Sequence, residues 1–181
     1  RVNGRYFAET LSFGFDAAIA LDTMDRRQKS GRAGTMLYLE SAVDQLFHHL
    51  QVFSFKMDVL GAEPGCAPHP EWDDAYLVAV QVGPTYGGHF RITPKARLDD
   101  GLLDICWATP ELSPMRALAL LLRARGGKHA GSDHIHFRRA SSLVLDFEEE
   151  PPVQMDGEPL CGTHFLIDCV PDALTVIVGQ R

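Results

Sequence analysis

The chain has no apolar run approaching the ~18 residues a helix needs to cross a bilayer, and no signal-like segment at its start. It has no excess of positive charge. Its 17 Lys and Arg stand against 24 Asp and Glu, and the net charge of −7 is the wrong sign for a general nucleic-acid binder. A local basic patch stays open, through Arg116, Arg123, Arg125, Lys128, Arg138 and Arg139. Cys-x-x-Cys pairs are absent, so the four cysteines at 66, 106, 161 and 169 carry no redox or zinc signature. Cys106 and Cys169 lie in apolar stretches, where a free thiol behaves as a small hydrophobe. All four read as reduced, as in a cytosolic protein, although sequence leaves any pairing open. There is no internal repeat and no low-complexity segment. What is present is ordinary globular composition, 45% hydrophobic and 23% charged over 181 residues, enough for one sizeable core. Arg1-Val2-Asn3-Gly4-Arg5 opens without an initiator methionine and runs straight into strand-like residues, the start expected of a piece cut at a domain boundary.

Taken in order, Tyr6 to Phe15 predicts a buried strand running into a bend, and the polar, basic residues 22–34 a mobile loop. Met36, Leu39, Val43, Leu46 and Leu50 recur with a helical period. Residues 52–60 alternate like a half-buried strand, with Phe53, Phe55, Met57 and Val59 on one side. Residues 61–74, rich in proline and acids, predict a loop, followed by a strand over 75–82, a turn, and a short strand over 90–93. Another loop, 94–101, leads into a strand over 102–107. Ser113-Pro114 then starts a second helix that stops at Gly126-Gly127. Strand-like segments follow at 134–139, 142–147, 151–155 and 163–178, the last broken near Pro171. Nine or ten short strands against two helices predict a mainly β fold: one domain over 1–181, an antiparallel two-sheet sandwich with helices covering an edge or an end.

One stretch concentrates chemistry. In Val153-Gln154-Met155-Asp156-Gly157-Glu158-Pro159-Leu160, two carboxylates flank a glycine at the end of a strand. Asp-Gly is a common hairpin turn, because both residues tolerate positive φ, so these residues alone fit a solvated turn as well as a working carboxylate.

Several stretches together resemble the diacylglycerol kinase catalytic family, which includes bacterial lipid kinases and sphingosine kinases. They are Ser12-Phe13-Gly14-Phe15-Asp16-Ala17, Lys29-Ser30-Gly31 with Tyr38-Leu39, Gly87-Gly88, the run from Pro94 to Asp104, and Asp156-Gly157-Glu158. The resemblance covers nearly the whole chain. It implies the second, β-rich domain of the diacylglycerol kinase/NAD kinase-like fold. The family's Gly-Gly-Asp-Gly-Thr nucleotide loop does not occur here, so the resemblance places ATP mostly on an N-terminal α/β domain outside this chain and makes this part inactive alone.

Carried over residue by residue, Glu158 is the proton acceptor for a lipid hydroxyl attacking ATP. Asp156 supports it, by hydrogen bonding or by holding a magnesium-bound water. A structural Mg2+ would take Asp100 and the carbonyls of Arg97 and Leu102, few protein oxygens plus waters being what magnesium prefers. The acyl chains would lie in an apolar space between the sheets. The family usually has asparagine where Glu9 and Val82 stand and glycine where His89 stands, so substrate contacts are expected to differ.

Other residues have blander readings. His129, His134 and His136 lack a convincing further metal ligand, and His48-His49 reads as a polar helix end. Glu148-Glu149-Glu150 reads as a solvated run. The apolar residues 118–122 read as core, although the basic residues that follow would suit a lipid interface. The resemblance thus implies the lipid-binding, base-supplying domain of an ATP-dependent lipid kinase. Such a protein would be cytoplasmic and peripheral on the inner face of the membrane, with lipid and ATP as partners. Free sheet edges leave a homodimer open. The alternatives are a non-catalytic β-sandwich that binds lipid or a partner, and a kinase of the same superfamily acting on a soluble substrate such as NAD.

Overall fold

The computed structural model describes all residues except 33, 61–68, 88–89, 176 and 178–181. In chain order the elements are β1 (Thr10–Gly14), α1 (Phe15–Ser30), α2 (Thr35–His48), β2 (Phe53–Val59), β3 (His69–Ala75), β4 (Leu77–Gln81), β5 (Leu103–Ala108), α3 (Pro114–Ala124), β6 (Ile135–Ala140), β7 (Ser142–Phe147), β8 (Val153–Met155), β9 (Glu158–Leu160) and β10 (His164–Asp168). The strands form two wholly antiparallel sheets, one ordered β6-β5-β4-β1-β8-β9 and the other β10-β7-β2-β3.

Alternation along the strands builds the core. Leu11 and Phe13 of β1, Phe55 and Met57 of β2, and Leu143, Leu145 and Phe147 of β7 meet between the sheets. Phe13 lies 4.9 Å from both Phe147, stacked, and Phe165, edge-on. The interior of the sandwich is therefore filled with side chains. A second, smaller cluster forms on the outer face of the six-stranded sheet, where Phe15, Ile19, Ala42 and Leu46 of the helices gather with Leu77, Leu118 and Leu121. The helices make a third layer.

The largest difference from the sequence reading is α1. The strand stops at Gly14, and residues expected to be a mobile loop continue a helix to Ser30. Most of α1 is polar, so the hydrophobic period that would reveal it is weak. Its outer half is held instead by ion pairs one turn apart, Asp22–Arg26 and Asp25–Lys29, both at 2.6 Å. The switch from strand to helix needs Gly14: φ is 75°, and a Cβ there would sit 2.5 Å from the Tyr76 carbonyl oxygen. In α2 the buried face is Leu37, Ser41, Ala42 and Leu46, while Met36, Val43 and Phe47 face solvent. A helix apolar nearly all round fits two periodic faces, and packing chooses one.

Part of the loop expected over 61–74 is strand β3, and the rest lies outside the described residues. Residues 90–93 form no strand. Phe90 pairs in an isolated bridge with Tyr86 and packs on Tyr38, ring centres 5.5 Å apart. Among the described residues, the segment expected over 163–178 is strand only at β10.

Candidate functional site

At one end of the six-stranded sheet, the start of β1, the end of β4 and the β8–β9 turn converge. The turn is a two-residue hairpin in which Met155 pairs with Glu158. Asp156 at φ 49° and Gly157 at φ 91° are both left-handed, the signature of a type I′ turn. The Asp156 carboxylate accepts the backbone N–H groups of Ala8 (2.6 Å), Glu9 (3.0 Å) and Thr10 (2.8 Å). Its own N–H donates to the Thr10 carbonyl at 2.9 Å. Asp156 thus clasps the turn to the beginning of β1. Glu158 is exposed, and its pairing sets it on the same sheet face as Met155 and Leu160. The two carboxylates named from sequence are neighbours in the fold with different surroundings: one is engaged by backbone donors, the other is reachable from solvent.

Two of the three departures from the family pattern meet here. The Val82 N–H donates to the Glu9 carbonyl at 3.1 Å. Partial burial of the Glu9 carboxyl, then the charge of Asp156, push Glu9 above the usual carboxylate range. His89 lies outside the described residues.

Behind the turn lie buried polar groups that belong to the quoted stretches but to which sequence reading gave no role. Gly157 N–H donates to Gln154 Oε1 at 2.7 Å, and Gln154 Nε2 donates to Ser12 Oγ at 2.7 Å. Asp16 lies one residue past the bend at the end of β1, and its carboxylate accepts Tyr38 Oη at 3.5 Å through Oδ1. Its Oδ2 is buried with no hydrogen-bond partner among the described residues. Ser12, Gln154 and Asp16 are all buried. Burial raises the Asp16 carboxyl to about 6, against the opposing influence of the Ser12 and Tyr38 hydroxyls. The available signal was polar residues inside otherwise apolar strands.

The Arg97–Leu102 loop is further along the chain and closed by ion pairs. Asp100 Oδ1 accepts the Leu102 N–H at 3.1 Å, and Oδ2 pairs with the Arg139 guanidinium, whose Nε lies 3.4 Å from Asp104. Asp100 is the only side chain that the resemblance offers to a structural Mg2+, and it already carries a cation. With that pair closed, these residues do not fit the ion. Among the described residues no group of three or more His, Cys, Asp or Glu could hold a metal. His129 is buried with Nε2 2.9 Å from the Ile92 carbonyl oxygen, and burial lowers its pKa. His136 stacks on Trp107, ring centres 5.2 Å apart, while His134 approaches Glu111 at 3.9 Å. The three histidines have separate neighbours.

The open apolar space is not between the sheets. A narrow cleft with about 70 Å³ of open interior lies between the outer face of the six-stranded sheet and the helices. Phe15, Leu46, Leu50, Leu77, Ile92 and Leu121 are among its walls, with Cys106 on the sheet side. Its walls are almost wholly apolar, and its interior is well below the ~300–1,000 Å³ of small-molecule clefts, so a guest of that size would have to part the helices from the sheet. No helix among the described residues is long and apolar enough to cross a membrane.

Comparison with known proteins agrees with this architecture. The YegS C-terminal NAD kinase beta sandwich-like domain family matches residues 9–178. A protein named "Probable lipid kinase YegS-like" from Xanthomonas oryzae is 28% identical over 172 residues, 94% of this chain and 52% of the relative. Its namesake from Pectobacterium atrosepticum is 29% identical over 178 residues, covering 95% and 52%. The chain thus spans about half the length of the curated relatives it matches. A structure described as "a putative diacylglycerol kinase from Bacillus anthracis str. Sterne" has the same fold, with a TM-score of 0.62 at 20% identity over 92% of this chain and 50% of that one. A second diacylglycerol kinase structure from that organism gives 0.54 at 18% identity, over 92% and 47%.

Proposed function

Because the chain belongs to the YegS C-terminal NAD kinase beta sandwich-like domain family, we propose that it is the lipid-binding, base-supplying part of an ATP-dependent lipid kinase. The observation that carries this reading is an apolar cleft beside the helices in the same domain as an exposed carboxylate on a braced turn. Acyl chains of diacylglycerol or a related lipid would enter this cleft by widening it, since its open interior is about 70 Å³. Glu158 accepts the proton of the lipid hydroxyl as its oxygen attacks the γ-phosphorus of ATP. The P–O bond to ADP breaks, the phospholipid and ADP leave, and the proton passes to solvent. A base that must meet both a lipid and a nucleotide has to be reachable, as Glu158 is. Asp156 acts by holding the turn, since its carboxylate is committed to three N–H groups. ATP would be bound mostly by sequence that the relatives have and this chain does not span.

A membrane face is part of the same reading. Met36 and Phe47 on α2 and Met115 and Leu122 on α3 are exposed apolar side chains beside the cleft helices. Arg116, Arg123, Arg125 and Lys128 lie on or next to α3 and would meet anionic headgroups. A second, non-catalytic reading draws on Glu9: a carboxylate beside Asp156 adds negative charge where phosphates would approach.

The test is phosphate transfer from ATP to a panel of lipids, and to NAD, by the native-length polypeptide with Glu158→Gln alongside. Transfer to one lipid class that falls ~10²-fold or more in the variant supports kinase and base together. Transfer only to NAD favours a soluble substrate. No transfer by folded, ATP-binding protein favours the non-catalytic reading.

A further inference from the structure

The type I′ turn that presents Glu158 is held at two points. Asp156 ties it to β1 from outside, and Gln154 ties it from within, by accepting the Gly157 N–H at 2.7 Å. That N–H belongs to the central peptide of the turn, between Asp156 and Gly157. Flipping this peptide converts a type I′ turn into type II′, which needs a left-handed first residue only, and so changes the backbone immediately before Glu158. Among the described residues Gln154 Oε1 is the acceptor that this N–H meets.

The orientation of Gln154 follows from its partners. Oε1 must accept from Gly157, so Nε2 must be the donor to Ser12 Oγ. Ser12 Oγ thus receives the Gln154 amide from the adjacent strand β1. Both links have one polarity, and Ser12 and Gln154 are buried, where a broken hydrogen bond is not replaced by water.

We propose that Gln154, anchored on Ser12, is a positioning residue that locks the central peptide of the 156–157 turn and thereby fixes Glu158 for proton transfer. This rests on the reading of Glu158 as the base. It assigns a role to a buried side chain behind the turn.

The test uses the native-length kinase and four proteins beside wild type: Gln154→Leu, Gln154→Glu, Glu158→Gln, and the double variant Gln154→Leu/Glu158→Gln. Leucine removes the acceptor, and glutamate keeps an oxygen for the Gly157 N–H. The expected result is a kcat at least ~10-fold lower in Gln154→Leu, with KM for ATP and lipid within ~3-fold of wild type, and substantial recovery in Gln154→Glu. The decisive arm is the double variant. A residue that acts only through Glu158 has nothing left to position once that carboxylate is gone, so the Gln154→Leu effect should vanish in the Glu158→Gln background. A full further loss there would show a general structural role and overturn the proposal. If Gln154→Leu does not fold, Gln154→Glu carries the test: a kcat less than ~3-fold above that of Glu158→Gln would overturn the proposal as well, because the retained acceptor would then have no effect. Wild-type kcat in Gln154→Leu with Glu158→Gln inactive refutes positioning and leaves the base in place. Wild-type kcat in Glu158→Gln refutes the base, and the positioning role with it.

Discussion

Replacing Asp16 with asparagine should change how the stability of this domain depends on pH, in a direction fixed by its burial. The Asp16 carboxyl moves from an ordinary 3.8 to about 6 in the folded chain, with burial the largest cause. In the unfolded chain it ionises near its ordinary value. Between those two values the folded state therefore holds more protons than the unfolded state, and stability falls as pH rises. The full fall is about 3 kcal/mol, reached above pH ~6 and absent below pH ~4. Its nearest titratable neighbours do not complicate the window, since burial pushes both the Tyr38 hydroxyl and the Cys106 thiol upward and leaves them neutral throughout. Asparagine keeps an oxygen for Ser12 and Tyr38 but cannot ionise. Urea unfolding of wild type and Asp16→Asn at intervals from pH 4 to 8 would give the difference between them, in which the other carboxylates largely cancel. That difference should shift toward the variant by about 3 kcal/mol up to pH ~6 and then stay level. A flat difference, or one that shifts toward wild type as pH rises, would refute the reasoning.

Other predictions concern the turn, the closing ion pairs and the cleft. Asp156→Ala removes the acceptor of three backbone N–H groups and puts alanine at φ 49°, and should destabilise the chain by about 3–4 kcal/mol in urea unfolding. Asp156→Asn, which tolerates that φ and keeps one oxygen, should lose about half as much. Arg139→Ala removes the guanidinium that pairs with Asp100 and approaches Asp104, and should cost about 2–4 kcal/mol in urea unfolding. Leu121→Trp, which fills the cleft, should lower transfer to long-chain lipids in the native-length protein more than to short-chain ones. Equal effects on both would separate the cleft from the acyl chains.

Legibility along the chain followed how local the deciding physics was. The strands β2 and β7 are readable because alternation of Phe, Leu and Met with less buried residues is the imprint of a half-buried sheet, and β5 is readable as a short apolar run buried on both faces. α3 was readable from Ser113-Pro114 and the glycines after it, although Ser113 makes no side-chain cap. α1 was not readable, because its polar half is held by ion pairs and by a glycine whose necessity depends on the distant Tyr76 carbonyl. The Asp156-Gly157 turn was legible as a turn, but its three-amide clasp joins residues nearly 150 positions apart in the chain.

The sequence by itself determined the class: composition, alternation and turn residues specify an antiparallel β domain, and short motifs point to one kinase family. Only the tertiary structure decided what those motifs touch. It filled the space between the sheets with phenylalanines and left the apolar cleft under the helices. It gave Asp100 to Arg139, Asp156 to the backbone of β1, and Gln154 to the turn that carries Glu158. The reason is that propensity and periodicity are set by neighbours within a few residues, whereas a buried polar group takes whatever partner the folded chain brings within 3 Å.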